Sequence, residues 1–188
     1  MNIILLGKSG AGKGTQASLL AKRFNFQHFS TGELFRRHLK DNTDLGKKIY
    51  YVMHSSKLVP DEIVNEVVLA EFDRMQHDNI VFDGYPRTIP QAKYLNSSLK
   101  NPIDYVFLLA VYDSTALERM SKRQEIDQRS ETDGLERRIS RLKEYEHLTS
   151  PLVWWYDDRQ KLIVINGEEC PSCISRKIEG YIKCQPLH

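Results

Sequence analysis

The sequence predicts an α/β fold, a five-stranded parallel sheet with helices on both faces. Two observations carry this expectation. Short, almost wholly apolar runs recur along the chain, and each reads as a strand buried on both faces. Between them lie stretches with apolar residues at helical spacing, so strands and helices alternate as in βαβ units.

The elements follow in order. Asn2–Leu6 is the first apolar run, and a glycine-rich segment follows it directly. Ala17, Leu20, Ala21 and Phe24 then fall at i, i+3, i+4 and i+7, which makes one face of a helix over 14–24. Residues 27–29 form a second short strand. Ser30 and Glu33 have the spacing of a capping box, so a helix is expected to start there. A further helix is expected over 44–54. Pro60 suits a first helical turn, and Ile63, Val64, Val67, Val68 and Phe72 mark the helix that follows. Residues 80–82 are the third strand, ending at Asp83 and Gly84. Residues 105–111 and 162–165 are the fourth and fifth. Helical patterns cover 90–99, 114–123, 135–148 and 151–159.

Composition narrows the function class. A chain of 188 residues corresponds to one domain, 1–188, with small insertions. The 27 basic and 25 acidic residues give a net charge of +2, too balanced to suggest nucleic acid as a partner. No window of 18 uncharged apolar residues occurs, so no membrane span is expected. The first residues lack the basic segment and long apolar run of a signal peptide, so a cytoplasmic protein is expected. All three cysteines, Cys170, Cys173 and Cys184, lie near the C-terminal end, an odd and sparse set for a disulfide scaffold.

The segment GKSGAGKGT over residues 7–15 fits G-x-x-x-x-G-K. Glycines let the backbone wrap a phosphate, whose oxygens its N–H groups and the following helix N-terminus bind. Lys13 would reach the outer phosphates. Gly14 stands where Ser or Thr usually follows the lysine as a magnesium ligand, with Thr15 one residue later. Asp83 ends a buried strand and could hold Mg2+ through water.

Gly12-Lys13-Gly14-Thr15-Gln16 resembles the phosphate loop of adenylate kinases and related nucleoside monophosphate kinases. Further matches occur in the family's order. HFSTGELFR (28–36) and KLVPDEIV (57–64) resemble its two acceptor segments, and FDGYPRT (82–88) with Gln91 resembles its central strand and loop. Arg119, Arg123, Arg129 and Arg141 resemble the arginines around its lid. The resemblance spans nearly the whole chain. It implies a P-loop NTPase-type sheet with an NMP-binding helical insert over about 30–59 and a short lid over about 123–133. It implies reversible Mg-dependent phosphoryl transfer, ATP and AMP giving two ADP, by a monomer.

The resemblance also implies roles. Gly10, Ala11, Gly12, Lys13, Gly14, Thr15, Arg119, Arg123 and Glu169 would hold ATP. Thr31, Arg36, Lys57, Leu58, Val59, Gly84, Tyr85, Pro86, Arg87, Gln91, Arg129 and Arg141 would hold AMP. Lys13, Arg87, Arg123, Arg129, Arg141 and Asp83 would be catalytic, with Asp83 on Mg2+. Thr31 and Gln91 favour AMP, because UMP/CMP kinases typically carry Ala and Asn at these positions. Such a kinase, or a catalytically weak nucleotide-binding regulatory protein of the same fold, is the alternative.

Two segments depart from the family pattern. Only residues 124–128 separate Arg123 from Arg129, as in short-lid forms. The usual R-x-D-D reads R-S-E-T-D here, and Arg141 stands 12 residues after Arg129 instead of 11. Cys170 and Cys173 have metal-like spacing but no second pair, so they are read as thiols and no zinc is expected.

Overall fold

Apolar strands with no polar face need cover on both sides, and the fold supplies it. A computed structural model of the chain describes residues 1–54, 59–72, 74–75, 79–127 and 134–184. Strand β1 (Asn2–Leu6) lies at the centre of the sheet, with β3 (Ile80–Asp83) on one side and β4 (Ile103–Ala110) on the other. Strands β2 (Gln27–Ser30) and β5 (Leu162–Asn166) form the edges, giving the order β2-β3-β1-β4-β5 with every pair parallel. Leu5 of β1 pairs in register with Asp83, so the two loops leaving these strands emerge side by side.

Alternate side chains of β1 serve opposite faces. Ile4 and Leu6 join Phe29, Phe82 and Val106 on one face. Helices α2 (Thr31–Lys40), α3 (Asp44–His54), α4 (Asp61–Phe72), α5 (Ile89–Ser98) and α8 (Pro151–Asp157) cover it through Phe35, Ile49, Val68, Leu95 and Leu152. Ile3 and Leu5 join Val81 and Phe107 on the other, under α1 (Lys13–Phe24) and α9 (Pro171–Lys183). A small separate cluster of Ala116, Met120 and Leu142 ties α6 (Asp113–Asp127) to α7 (Leu135–Glu144). Phe29, Phe72 and Phe82 form an aromatic triad with centroids 5.3–5.9 Å apart, each ring about 2 kcal/mol of burial.

The structure adds one helix and corrects three expectations. Helix α9 was not legible as a helix; Ile174, Ile178 and Ile182 fall four apart and line its buried face. Cys170 and Cys173 are joined as a disulfide and are not thiols. Cys170 is the N-cap of α9, and one helical turn brings Cys173 to it with Cα atoms 5.2 Å apart. The helix expected over 135–148 is α-helical only to Glu144 and ends in a π-helical turn, Tyr145–Thr149. Pro60 precedes α4, and its carbonyl accepts from Val64 N at 3.0 Å.

Candidate active site

The glycine-rich loop turns from β1 into α1 with Gly10 and Gly12 at φ 86° and 96°. Residues with a Cβ avoid that region, which is why glycine stands there. Gly12 caps α1 without a capping side chain, and no acidic residue lies in the first turn. The helix therefore presents bare N–H groups and an unneutralised positive end to an anion. Gly10, Ala11, Gly12, Lys13, Gly14 and Thr15 all lie on this turn or in the first turn of α1.

The Lys13 ammonium donates to the Gly7 and Lys8 carbonyls at 2.7 and 2.9 Å. An ammonium has three N–H groups, so one is left for a phosphate oxygen. Burial pulls the Lys13 pKa down to about 8. Asp83 opposes that shift, while Arg87 and Arg123 add to it. Burial works against the Asp83 carboxylate too, but His28, Lys13 and Arg87 together outweigh it and hold the carboxyl below its usual range. His28 Nε2 lies 3.6 Å from Asp83 Oδ2, an ion-pair distance longer than a hydrogen bond. A Cβ on Gly14 would stand 3.2 Å from Asp83 Oδ2, so the missing side chain after the lysine leaves room for this carboxylate.

Arg87 follows from the loop after β3. Its Nε donates to the Gly84 carbonyl at 2.9 Å. Burial depresses its pKa, Asp83 and Glu144 favour its charge, and Arg141 repels it. Lys13 and Arg87 thus share the field of Asp83 at the carboxyl ends of β1 and β3, with Arg123 acting on Lys13 and Arg141 on Arg87. This is where parallel α/β sheets bind ligands.

On the β2 side, Ser30 caps α2 by accepting from Glu33 N at 3.4 Å, as the spacing predicts. Thr31 Oγ1 donates to the Gly84 carbonyl at 2.9 Å. Arg36 lies one turn on, with Nη1 3.2 Å from where a Cβ on Gly32 would be. Val59, Tyr85 and Pro86 are buried around them. Gln91 is held from two sides: Arg87 N donates to its Oε1 at 2.7 Å, and its Nε2 donates to Asp61 Oδ1 at 2.6 Å. Lys57, Leu58 and Arg129 lie outside the described residues.

On the β5 side, Arg119 Nη1 donates to the Gly167 carbonyl at 2.9 Å, and Tyr112 N to Glu168 Oε1 at 2.7 Å. Glu169 pairs with Lys177 at 2.5 Å. Buried Gln16 donates to the Pro171 carbonyl at 2.9 Å and so joins α1 to α9. Motif reading missed Lys8, which bridges Asp113 at 2.5 Å and Glu146 at 3.2 Å. It also missed His28 beside Asp83, and Asp61. His28 and Asp61 lie inside segments quoted for other residues, and a parallel pairing of β2 with β3 was the only available signal for His28.

A model of the adenylate kinase family matches residues 5–161. The chain belongs to the adenylate kinase family. An adenylate kinase of Bartonella tribocorum is 37% identical over 194 residues, covering 97% of this chain and 100% of that protein. One from Flavobacterium psychrophilum is 36% identical over 171 residues, 89% of this chain and 90% of its own. One from Mycoplasma mycoides is 35% identical over 214 residues, with 97% and 100% covered. The span matched to the adenylate kinase family holds the whole cationic cluster, Thr31 and Gln91, whereas Glu169, the disulfide and α9 lie beyond it.

Proposed function

We propose that this chain is a short-lid adenylate kinase that reversibly transfers the γ-phosphoryl group of ATP to AMP, giving two ADP. The observation that carries this reading is the chain of cations in which Lys13 and Arg87 flank Asp83, with Arg123 acting on Lys13 and Arg141 on Arg87, beside a bare helix N-terminus and Thr31, whose hydroxyl shares the Gly84 carbonyl with Arg87. Phosphoryl transfer asks for in-line placement and charge stabilisation more than covalent chemistry.

In this reading the loop of Gly10 to Thr15, with Lys13 and Arg123, grips the ATP phosphates. Arg119 lies against the donor base, whose backbone contacts follow Gly167 near Glu169. Arg36 and Arg87 hold the AMP phosphate. Thr31, Lys57, Leu58, Val59, Gly84, Tyr85, Pro86 and Gln91 enclose the AMP base and sugar. Arg129 and Arg141 reach across the transferring group. No general base is needed, because the AMP phosphate is already an anionic nucleophile. The cations stabilise charge spread over the equatorial oxygens, and they need no reorganisation to do so. Asp83 suits Mg2+: its carboxyl is held ionised, and oxygen donors are what this cation prefers. Mg2+ when bound would neutralise charge on the outer phosphates.

The insert over about 30–59 and the lid over about 123–133 close over the nucleotides and exclude water, within a single domain, 1–188. The chain acts as a cytoplasmic monomer without nucleic acid, membrane or zinc. No described helix is long and apolar enough to cross a membrane.

Coupled ADP production from ATP and Mg2+, with AMP, CMP, UMP and GMP in parallel, tests the reading. Turnover with AMP alone is expected. Turnover with pyrimidines alone would overturn the acceptor assignment, and binding without turnover would point to a regulatory protein.

A further inference from the structure

A primary amide has two N–H donors and two oxygen lone pairs. At Gln91 one lone pair takes the Arg87 backbone N–H at 2.7 Å, and one N–H goes to Asp61 Oδ1 at 2.6 Å. The Asp61 carboxylate is itself anchored, since its Oδ2 accepts from Thr88 Oγ1 at 2.8 Å. Gln91 is only 2% exposed, and both bonds are made to protein partners. Turning the amide over would set its NH2 against the Arg87 N–H and its carbonyl against a carboxylate. Both bonds would be lost together.

We propose that Asp61 is a positioning residue that fixes the orientation of the Gln91 amide and thereby selects 6-aminopurine over 6-oxopurine acceptors. The assignment rests on AMP being the acceptor at the Thr31–Gln91 pocket. One N–H and one lone pair of the amide remain for the base. With the amide fixed, the N–H meets the N1 acceptor of adenine and the oxygen meets its N6 amino donor. A 6-oxopurine offers the reverse order, an N1–H donor beside an O6 acceptor, and meets like against like. Arg87 N alone is a single neutral anchor. Asp61 adds a charged one, and hydrogen bonds to charged groups are the stronger kind.

The test compares kcat/KM for AMP and for inosine monophosphate in the parent chain and in Asp61→Ala, Asp61→Leu and Asp61→Asn, with ATP and Mg2+ saturating. Asp61→Ala and Asp61→Leu release the amide, and the AMP-to-IMP ratio should fall about tenfold in each, the scale of one hydrogen bond to a charged group. Leu fills the vacated volume, so a fall shared by both variants is not a cavity effect. Asn can still accept from Gln91 through Oδ1 and meet Thr88 Oγ1 through Nδ2, so Asp61→Asn should keep the ratio within about twofold. A merely structural role would lower both rates together. An unchanged ratio in Ala or Leu variants of an AMP-selective parent overturns the inference alone. A parent that does not use AMP overturns the acceptor assignment, and this inference with it. If neither variant folds, a ratio lost in Asp61→Asn overturns it by itself.

Discussion

Raising the pH from 7 to 9 should weaken capture of ATP through one side chain. Lys13 has a pKa of about 8 because burial strips its ammonium of water and Arg87 and Arg123 repel it, with Asp83 only partly compensating. The pH profile of kcat/KM reports groups of the free enzyme. Lys13 is about nine-tenths charged at pH 7 and about one-tenth charged at pH 9, so kcat/KM for ATP should fall about tenfold across that interval. Phosphate groups lose their last proton near pH ~6 and do not contribute to this limb. In kcat the limb should lie higher, because a seated phosphate favours the ammonium. Initial rates at limiting ATP with AMP and Mg2+ saturating, from pH 6.5 to 10, give the profile. In Lys13→Arg the rate should be lower and the limb absent to pH 9.5, since guanidinium keeps its proton. A parent profile flat to pH 9.5, or a limb that survives in Lys13→Arg, would refute the reasoning. The same shift has a stability consequence of known sign. A lysine whose folded pKa lies below the ordinary 10.5 destabilises the fold fully below pH 8, and the penalty is relieved as pH rises toward 10.5. Lys13→Met should therefore remove this rise of stability between pH 8 and 10.5 in urea unfolding while losing about 10²–10³ in kcat.

Gly14→Ala should raise the thermal midpoint through helix propensity, worth up to ~1 kcal/mol, yet lower kcat, because its methyl group arrives 3.2 Å from Asp83 Oδ2. A variant as active as the parent would show that Asp83 can yield without consequence. Phe82→Ala removes one ring of the aromatic triad and should cost about 3–5 kcal/mol in chemical denaturation. A thiol titration of the native chain should count one reactive group, the exposed Cys184, and three after reduction and unfolding.

What the sequence made legible follows contiguity. The phosphate loop, the β3 strand end and the α2 cap are each specified within a few neighbouring residues, so spacing alone exposes Lys13, Asp83 and Ser30. The pairs that sequence reading missed join distant positions: Lys8 with Asp113 and Glu146, His28 with Asp83, Gln91 with Asp61. They exist only after β1 to β4 pair and the helices pack on the sheet. Helix α9 escaped for a different reason. Its isoleucines at 174, 178 and 182 keep a helical stripe, but Gly180 and two cysteines interrupt the composition, and the cysteines suggested metal chemistry. The π-helical turn at Tyr145–Thr149 adds a residue per turn without changing the local apolar pattern, so periodicity does not register it.

The pairing of Leu5 with Asp83 sets a gauge for the chemistry. The glycine-rich loop and the loop that carries Arg87, to which the proposed function assigns the two nucleotides, leave adjacent parallel strands at the same level. Their separation is therefore metered by the main-chain ladder, about 4.8 Å per strand, and not by any side chain. Mutational drift in the hydrophobic layers can loosen or tighten the fold while that ruler stays the same. Damage to the layers should accordingly surface first as lost endurance to heat or denaturant, with the line between donor and acceptor preserved in whatever fraction of molecules remains folded.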